Sequence, residues 1–222
     1  MRKKIFLNGI EDALFIHLTE KLHSLGGIIV DSKSDSDISV GIGNNSTGTV
    51  RIIPANFDFE FHDGTTIVIH DLIIPNGGDL WGGKEIRTII QSIINDETTI
   101  SQNNLHYWVN VRDAVSALST IIMGKKEDFG LLNLCGRRGW SNLDIISETE
   151  ILWSRYNNSI HNSHTVESLS SIPSPVRDTE QKSGNRPNLK PLHDSIISSG
   201  GQGWHPIESM RTSIMELIAE SN

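Results

Sequence analysis

Cysteine is almost missing: one residue, Cys135, in 222, so no disulfide can close within the chain and the fold must rest on packing. That usage suits a reducing, cytoplasmic setting, and the position inside "LLNLCG" reads as a small buried strand residue rather than a nucleophile. Tyrosine is as scarce, with only Tyr107 and Tyr156. No apolar run approaches the ~20 residues that cross a bilayer. The basic opening "MRKK" leads into an amphipathic segment, not into the apolar core of a secretory signal. Positive charge is also in deficit, 19 Lys and Arg against 27 Asp and Glu for a net charge of −8. With no basic patch to neutralise phosphates, nucleic acid and anionic membrane are excluded as partners. Metal ligation is not expected either. His17 and His23 fall on different helical faces, His161 and His164 sit in a polar loop, and no Cys/His/Asp group has ligand spacing.

What remains is rich in Ile, Leu and Val. At 36% hydrophobic residues the chain can bury one good core, so residues 1–222 are read as a single domain, its 157–222 portion a loop-rich C-terminal lobe. "KKIFLNG" is a short strand, "DALFIHLTEKLHSLGG" a helix with Leu14, Leu18, Leu22 and Leu25 on one side, and "GIIVD" a second strand. Strand, turn, helix and strand in that order make a right-handed βαβ unit of a parallel sheet. "DISVGIG", "TVRIIPA" and "TTIVIHDLIIP" follow as strands buried on both faces. "KEIRTIIQSIIND", "RDAVSALSTIIMGK", "SNLDIISETEILWSRY" with Ser141 as its N-cap, and "HPIESMRTSIMELIAES" read as helices. "LHYWVNV" and "FGLLNLCG" read as strands, and the Ser- and Asn-rich residues 157–185 as a loop.

The downstream half carries a resemblance. An aromatic strand leads into a helix start with Val111, Asp113, Ala114 and Val115, "LNLCG" follows, and then a Ser-initiated helix. The tail supplies Arg186, Pro187, Asp194, Gly203, Trp204 and Pro206, and "IVIHDLIIPNGGD" is the preceding strand and loop. This order resembles the extended short-chain dehydrogenase/reductases, the NAD-dependent epimerase/dehydratase family acting on nucleotide sugars, over about three quarters of the chain. The resemblance implies an α/β, Rossmann-like parallel sheet with helices on both faces, here trimmed, and a small C-terminal lobe. It also implies a cytoplasmic role in sugar-nucleotide or surface-polysaccharide metabolism. Gly9 and Asp31 would then face a dinucleotide, Asp31 standing where a ribose hydroxyl is held. Asn76 and Trp81 would line a sugar-nucleotide pocket, and Arg186 would meet the substrate diphosphate through its bidentate fork.

Two departures from the family pattern bear on chemistry. The glycines that let a helix N-terminus approach a pyrophosphate are replaced, the second by Asp12 and the third by Phe15, so a carboxylate stands where a diphosphate should. The Tyr-x-x-x-Lys pair is missing as well: four residues beyond Tyr107 and Tyr156 stand Val111 and Ile160. No catalytic residue is therefore assigned, and NAD(P) is expected to bind weakly or not at all. The expectation is a degenerate, non-catalytic homologue that binds a nucleotide sugar or an active partner subunit, as a homodimer or a hetero-oligomer with a related enzyme. Two alternatives stay open: a working NAD(P)-dependent epimerase, dehydratase or reductase using Asp71, His70 or Tyr107, and a structural assembly module.

Overall fold

The structure, a computed structural model, describes residues 2–44, 46–58, 63–97, 103–125, 128–161, 163, 165 and 186–221. The expected βαβ opening is present as β1 (Lys4–Gly9), α1 (Ala13–Ser24) and β2 (Ile28–Val30). Strands β3 (Ile38–Ile42), β4 (Val50–Pro54), β5 (Thr65–Ile69) and, later, β9 (Gly130–Leu134) complete one six-stranded sheet. Its order is β2-β1-β3-β4-β5-β9 and every pairing is parallel, a Rossmann-like α/β architecture.

Every residue of β3, β4 and β5 is buried, which explains why these segments read as continuous β-branched runs instead of alternating ones. The main core joins Ile38, Val40, Ile52, Ile67 and Leu132 of the sheet to Leu14, Leu18 and Leu22 of α1. Leu118 and Ile121 of α3 (Val111–Met123) and Leu192 and Ile196 of α5 (Lys190–Ser198) belong to the same core. A second cluster unites α2 (Lys84–Ile94), α4 (Asn142–Ile160) and α6 (Met210–Glu220) through Ile86, Ile90, Ile145, Leu152, Ile214 and Leu217.

The link between β3 and β4 contains no helix among its described residues, and neither does the link between β4 and β5. Residues 46–48 lie directly on the sheet, since a Cβ on Gly41 would stand 2.8 Å from Ser46 Oγ and one on Gly48 would stand 2.8 Å from the Gly41 amide nitrogen. The two glycines let backbone cross backbone where a helix would need far more room.

Other differences from the sequence reading are local. "TTIVIHDLIIP" breaks after Ile69 because Asp71 adopts φ 48°, and the chain resumes as β6 (Leu72–Ile73). "LHYWVNV" divides into β7 (Leu105–His106) and β8 (Val109–Asn110), which pair with β10 (Trp140–Ser141) and β6 in separate two-stranded sheets. Helix α5 was not expected, α4 runs on to Ile160, and α6 begins at Met210 behind the N-cap Ser209 instead of near His205. The Ser141 cap is as expected and forms a capping box with Asp144. Of the expected loop over 157–185, residues 166–185 lie outside the described residues, as does His164.

Candidate functional site

In a parallel sheet all strands end at the same edge, and ligands of such folds bind there, where successive connections leave in opposite directions. Here that point lies between β1 and β3, beside Gly9. A Cβ on Gly9 would sit 1.9 Å from the Ile42 carbonyl oxygen, and its φ is +122°, so the close crossing of β1 and β3 demands glycine by itself. Ile10 then donates its amide to Ile42 O at 3.0 Å and seats its side chain over Gly43.

Asp12 is the N-cap of α1. Its Oδ1 accepts from the Phe15 amide at 3.1 Å, and its Oδ2 accepts from Trp81 Nε1 at 2.5 Å. A helix N-terminus attracts an anion because its first amides are unpaired and its dipole is positive there. Asp12 supplies that anion from within the chain. Trp81 is only 2% exposed and belongs to the main core, so its indole closes the turn and does not line an open cleft. Phe15 is partly buried and packs against the same core. The residues at this turn therefore do not fit the pyrophosphate of a dinucleotide. Asp31 follows β2 and is exposed at the same edge of the sheet.

The ends of β5 and β9 carry a second constellation. His106 Nδ1 and Asp71 Oδ1 are 2.9 Å apart, and the Tyr107 amide donates to Asp71 Oδ2 at 2.8 Å. The other imidazole nitrogen lies 2.9 Å from Glu85 Oε2, and the ring stacks on Trp108 at 4.7 Å between centroids. Burial lowers the His106 pKa, but the two carboxylates outweigh it and hold the value above that of a free histidine. Glu85 Oε1 also accepts from Asn142 Nδ2 at 2.5 Å and from Asn104 Nδ2 at 3.2 Å, tying the first turn of α2 to the start of α4. His70 Nε2 meets Asn133 Oδ1 at 3.0 Å.

Cys135 directly follows β9 and is buried. Burial, with the Asp71 carboxylate adding to it and Arg186 opposing, pushes its thiol up to about 12, so it stays protonated. Trp204 Nε1 donates to the Cys135 carbonyl at 3.0 Å and fastens the tail to the sheet. Next to it stands a cationic group. Arg186 donates to the Arg137 carbonyl at 2.9 Å, Arg137 Nη1 is 3.4 Å from His205 Nδ1, and Arg138 lies 4.3 Å over the Trp140 ring. Arg137, Arg138, Arg186 and His205 are all exposed.

Asn76 is exposed too, but it has a conformational task. It follows Pro75 with φ 55° while the Gly77 amide donates to Ile74 O at 3.0 Å, which is a type II turn. Of the five residues assigned from sequence, Gly9 and Trp81 converge on the α1 turn through Asp12, whereas Arg186 joins the cluster at β9. The sequence reading missed His106, Glu85, Arg137 and His205. The tandem arginine in "LCGRRGW", directly after a strand that ends at the carboxyl edge of the sheet, was the available signal. Among the described residues no group of three or more His, Cys, Asp or Glu side chains could hold a metal ion, and no helix is long and apolar enough to cross a membrane.

No protein-family model and no curated protein matches the sequence. Solved structures do match. RMD from Pseudomonas aeruginosa complexed with NADPH superposes with a TM-score of 0.58 at 11% identity, over 100% of this chain and 98% of that one. The Bordetella bronchiseptica enzyme WbmF in complex with NADH gives 0.57 at 10% identity, over 99% and 91%. UDP-glucose 4-epimerase with UDP-glucose from Thermotoga maritima gives 0.55 at 9% identity, over 98% of each. The chain shares their fold. At such identity the likeness is one of architecture, and what the site can do must come from its own residues.

Proposed function

We propose that this chain is a non-catalytic relative of the NAD-dependent epimerase/dehydratase enzymes that binds a nucleoside diphosphate sugar at the carboxyl edge of its sheet. The observation that carries the reading is the bond from Trp81 Nε1 to Asp12: the helix N-terminus that would take a dinucleotide already holds a carboxylate of the chain itself. Three of the similar structures are complexes with NADPH, NADH or UDP-glucose, which supports a nucleotide-bearing ligand for this fold. The cluster of Arg137, Arg186 and His205 suits the diphosphate, since guanidinium forks pair with two phosphate oxygens at once. Acid-base candidates are held by other groups. Both Asp71 oxygens are engaged by His106 and the Tyr107 amide, and His70 faces Asn133.

Association with a second copy or with a related active enzyme belongs to the same reading. A chain with no Tyr-x-x-x-Lys pair serves sugar-nucleotide or surface-polysaccharide metabolism by holding ligand beside one that has the pair. Calorimetric titration with a panel of nucleoside diphosphate sugars tests the binding. Saturable heat with at least one of them, weakened about tenfold or more by Arg137→Ala and by Arg186→Ala, is expected from the loss of a charge-assisted bond. Absence of heat with every member of the panel would leave the assembly module as the better account.

A further inference from the structure

Helix α4 presents a stripe that the fold covers only in part. Leu143, Ile146, Glu150, Trp153, Asn157 and Ile160 recur at alternating steps of three and four, the spacing of a coiled-coil seam. Ile145 and Leu152 are buried in the second core, and Ile146 and Trp153 lean on its edge while still lining the surface. Leu143 is 59% exposed and Ile160 is 55% exposed, large values for apolar side chains so regularly placed. Beside the stripe, Ile93 and Ile94 at the end of α2 form the opposite wall of a groove of about 790 Å³. Its rim is of one sign. Asp96, Glu97 and Glu150 line it, and among the described residues that line it none is basic.

We propose that this groove receives an amphipathic helix of a partner protein whose polar flank is basic. The seam spacing on α4 specifies a helix as occupant, because knobs from a second helix enter holes repeating at the same interval. Charge decides which helix. A second copy of this chain would bring its own Asp96, Glu97 and Glu150 against the same three residues, whereas Lys or Arg beside an apolar seam would pair with them. The stripe from Leu143 to Ile160 spans roughly 26 Å, so about five turns of partner helix cover it. This surface is independent of the carboxyl-edge site, and its failure would not touch that reading.

The test uses the full chain, isotopically labelled, with two synthetic helical peptides of about 18 residues, one built on Leu/Lys heptads and one on Leu/Glu heptads. Fluorescence anisotropy measures affinity and amide shift changes report where each peptide lands. Saturable binding of the Lys peptide is expected, with shift changes confined to the end of α2 and to α4. Glu150→Lys should weaken it about tenfold, and Leu143→Ser, an exposed change that leaves the core intact, should weaken it by a similar factor. Equal binding of the Glu peptide, shift changes elsewhere, no binding at all, or light scattering showing a homodimer that protects α4 from exchange would each overturn the proposal.

Discussion

Trp81 and Asp12 are 69 positions apart in sequence, yet the indole nitrogen lies 2.5 Å from the carboxylate that caps α1. The contact joins the Gly-rich loop before α2 to the first turn of the sheet. It also gives the α1 N-terminus an anion from inside the chain. Because this carboxylate bonds both an amide and an indole, removing it leaves two donors without their partner. Asp12→Ala is expected to destabilise the fold by about 1–2 kcal/mol in urea denaturation, and Trp81→Phe by a comparable amount. The double variant should lose less than the sum of the two, the signature of a direct bond.

His106 predicts a pH dependence of stability with a definite sign. Its folded pKa is raised, because Asp71 and Glu85 together outweigh burial. A group raised in this way contributes its full stabilisation below its unfolded pKa, about 6.5, and loses it as pH rises through the higher folded value. The urea midpoint of the native chain should therefore fall on the alkaline side of that window. His106→Gln should flatten this part of the profile and be least stable, relative to the native chain, at acidic pH.

Arg211 and Glu148 link α6 to α4, with Nε to Oε2 at 2.7 Å and Nη2 to Oε1 at 3.3 Å. Glu148 is buried, so Arg211→Ala takes the paired cation from a carboxylate held away from water. The expected loss is about 3 kcal/mol, read from the shift in the denaturation midpoint. Replacing both residues by apolar ones of similar size should recover most of it.

The opening βαβ unit, the Ser141 cap and the Leu14, Leu18 and Leu22 positions of α1 were legible because each depends on residues within one turn or one strand; Leu25, read with them, instead follows the helix as its C-cap and is 47% exposed. The breaks in the middle were not. Asp71 interrupts an apolar run that reads as one strand, and what fixes its left-handed backbone lies far along the chain, at His106 and Tyr107. Helix α5 is short, with Pro191 in its first turn, so its periodicity gives little signal. At the site, sequence named Gly9, Trp81 and Arg186 and also marked Asp12 as adverse to a diphosphate. It could not show that Trp81 and Asp12 meet, because the pairing is made by the packing of a loop against a helix start.

Cys135 should be inert in the folded state. Its thiol is buried and pushed up to about 12, so thiolate is negligible at pH 8. A chromogenic disulfide reagent at that pH should leave the native chain unmodified for as long as it stays folded and should react fully in denaturant. Rapid modification of native protein would show that the end of β9 opens far more readily than its packing implies.

The closed α1 turn is tested most directly by titrating the unmodified chain with NADPH, followed by nucleotide fluorescence, with turnover of nucleoside diphosphate sugars assayed in the same samples. The Asp12 carboxylate at the helix N-terminus predicts neither saturable binding nor turnover in the native chain. Asp12→Gly combined with Phe15→Gly should gain cofactor affinity and remain without turnover. Saturable NADPH binding by the unmodified chain, with turnover that Tyr107→Phe or His70→Asn abolishes, would contradict the closed turn and identify a working enzyme.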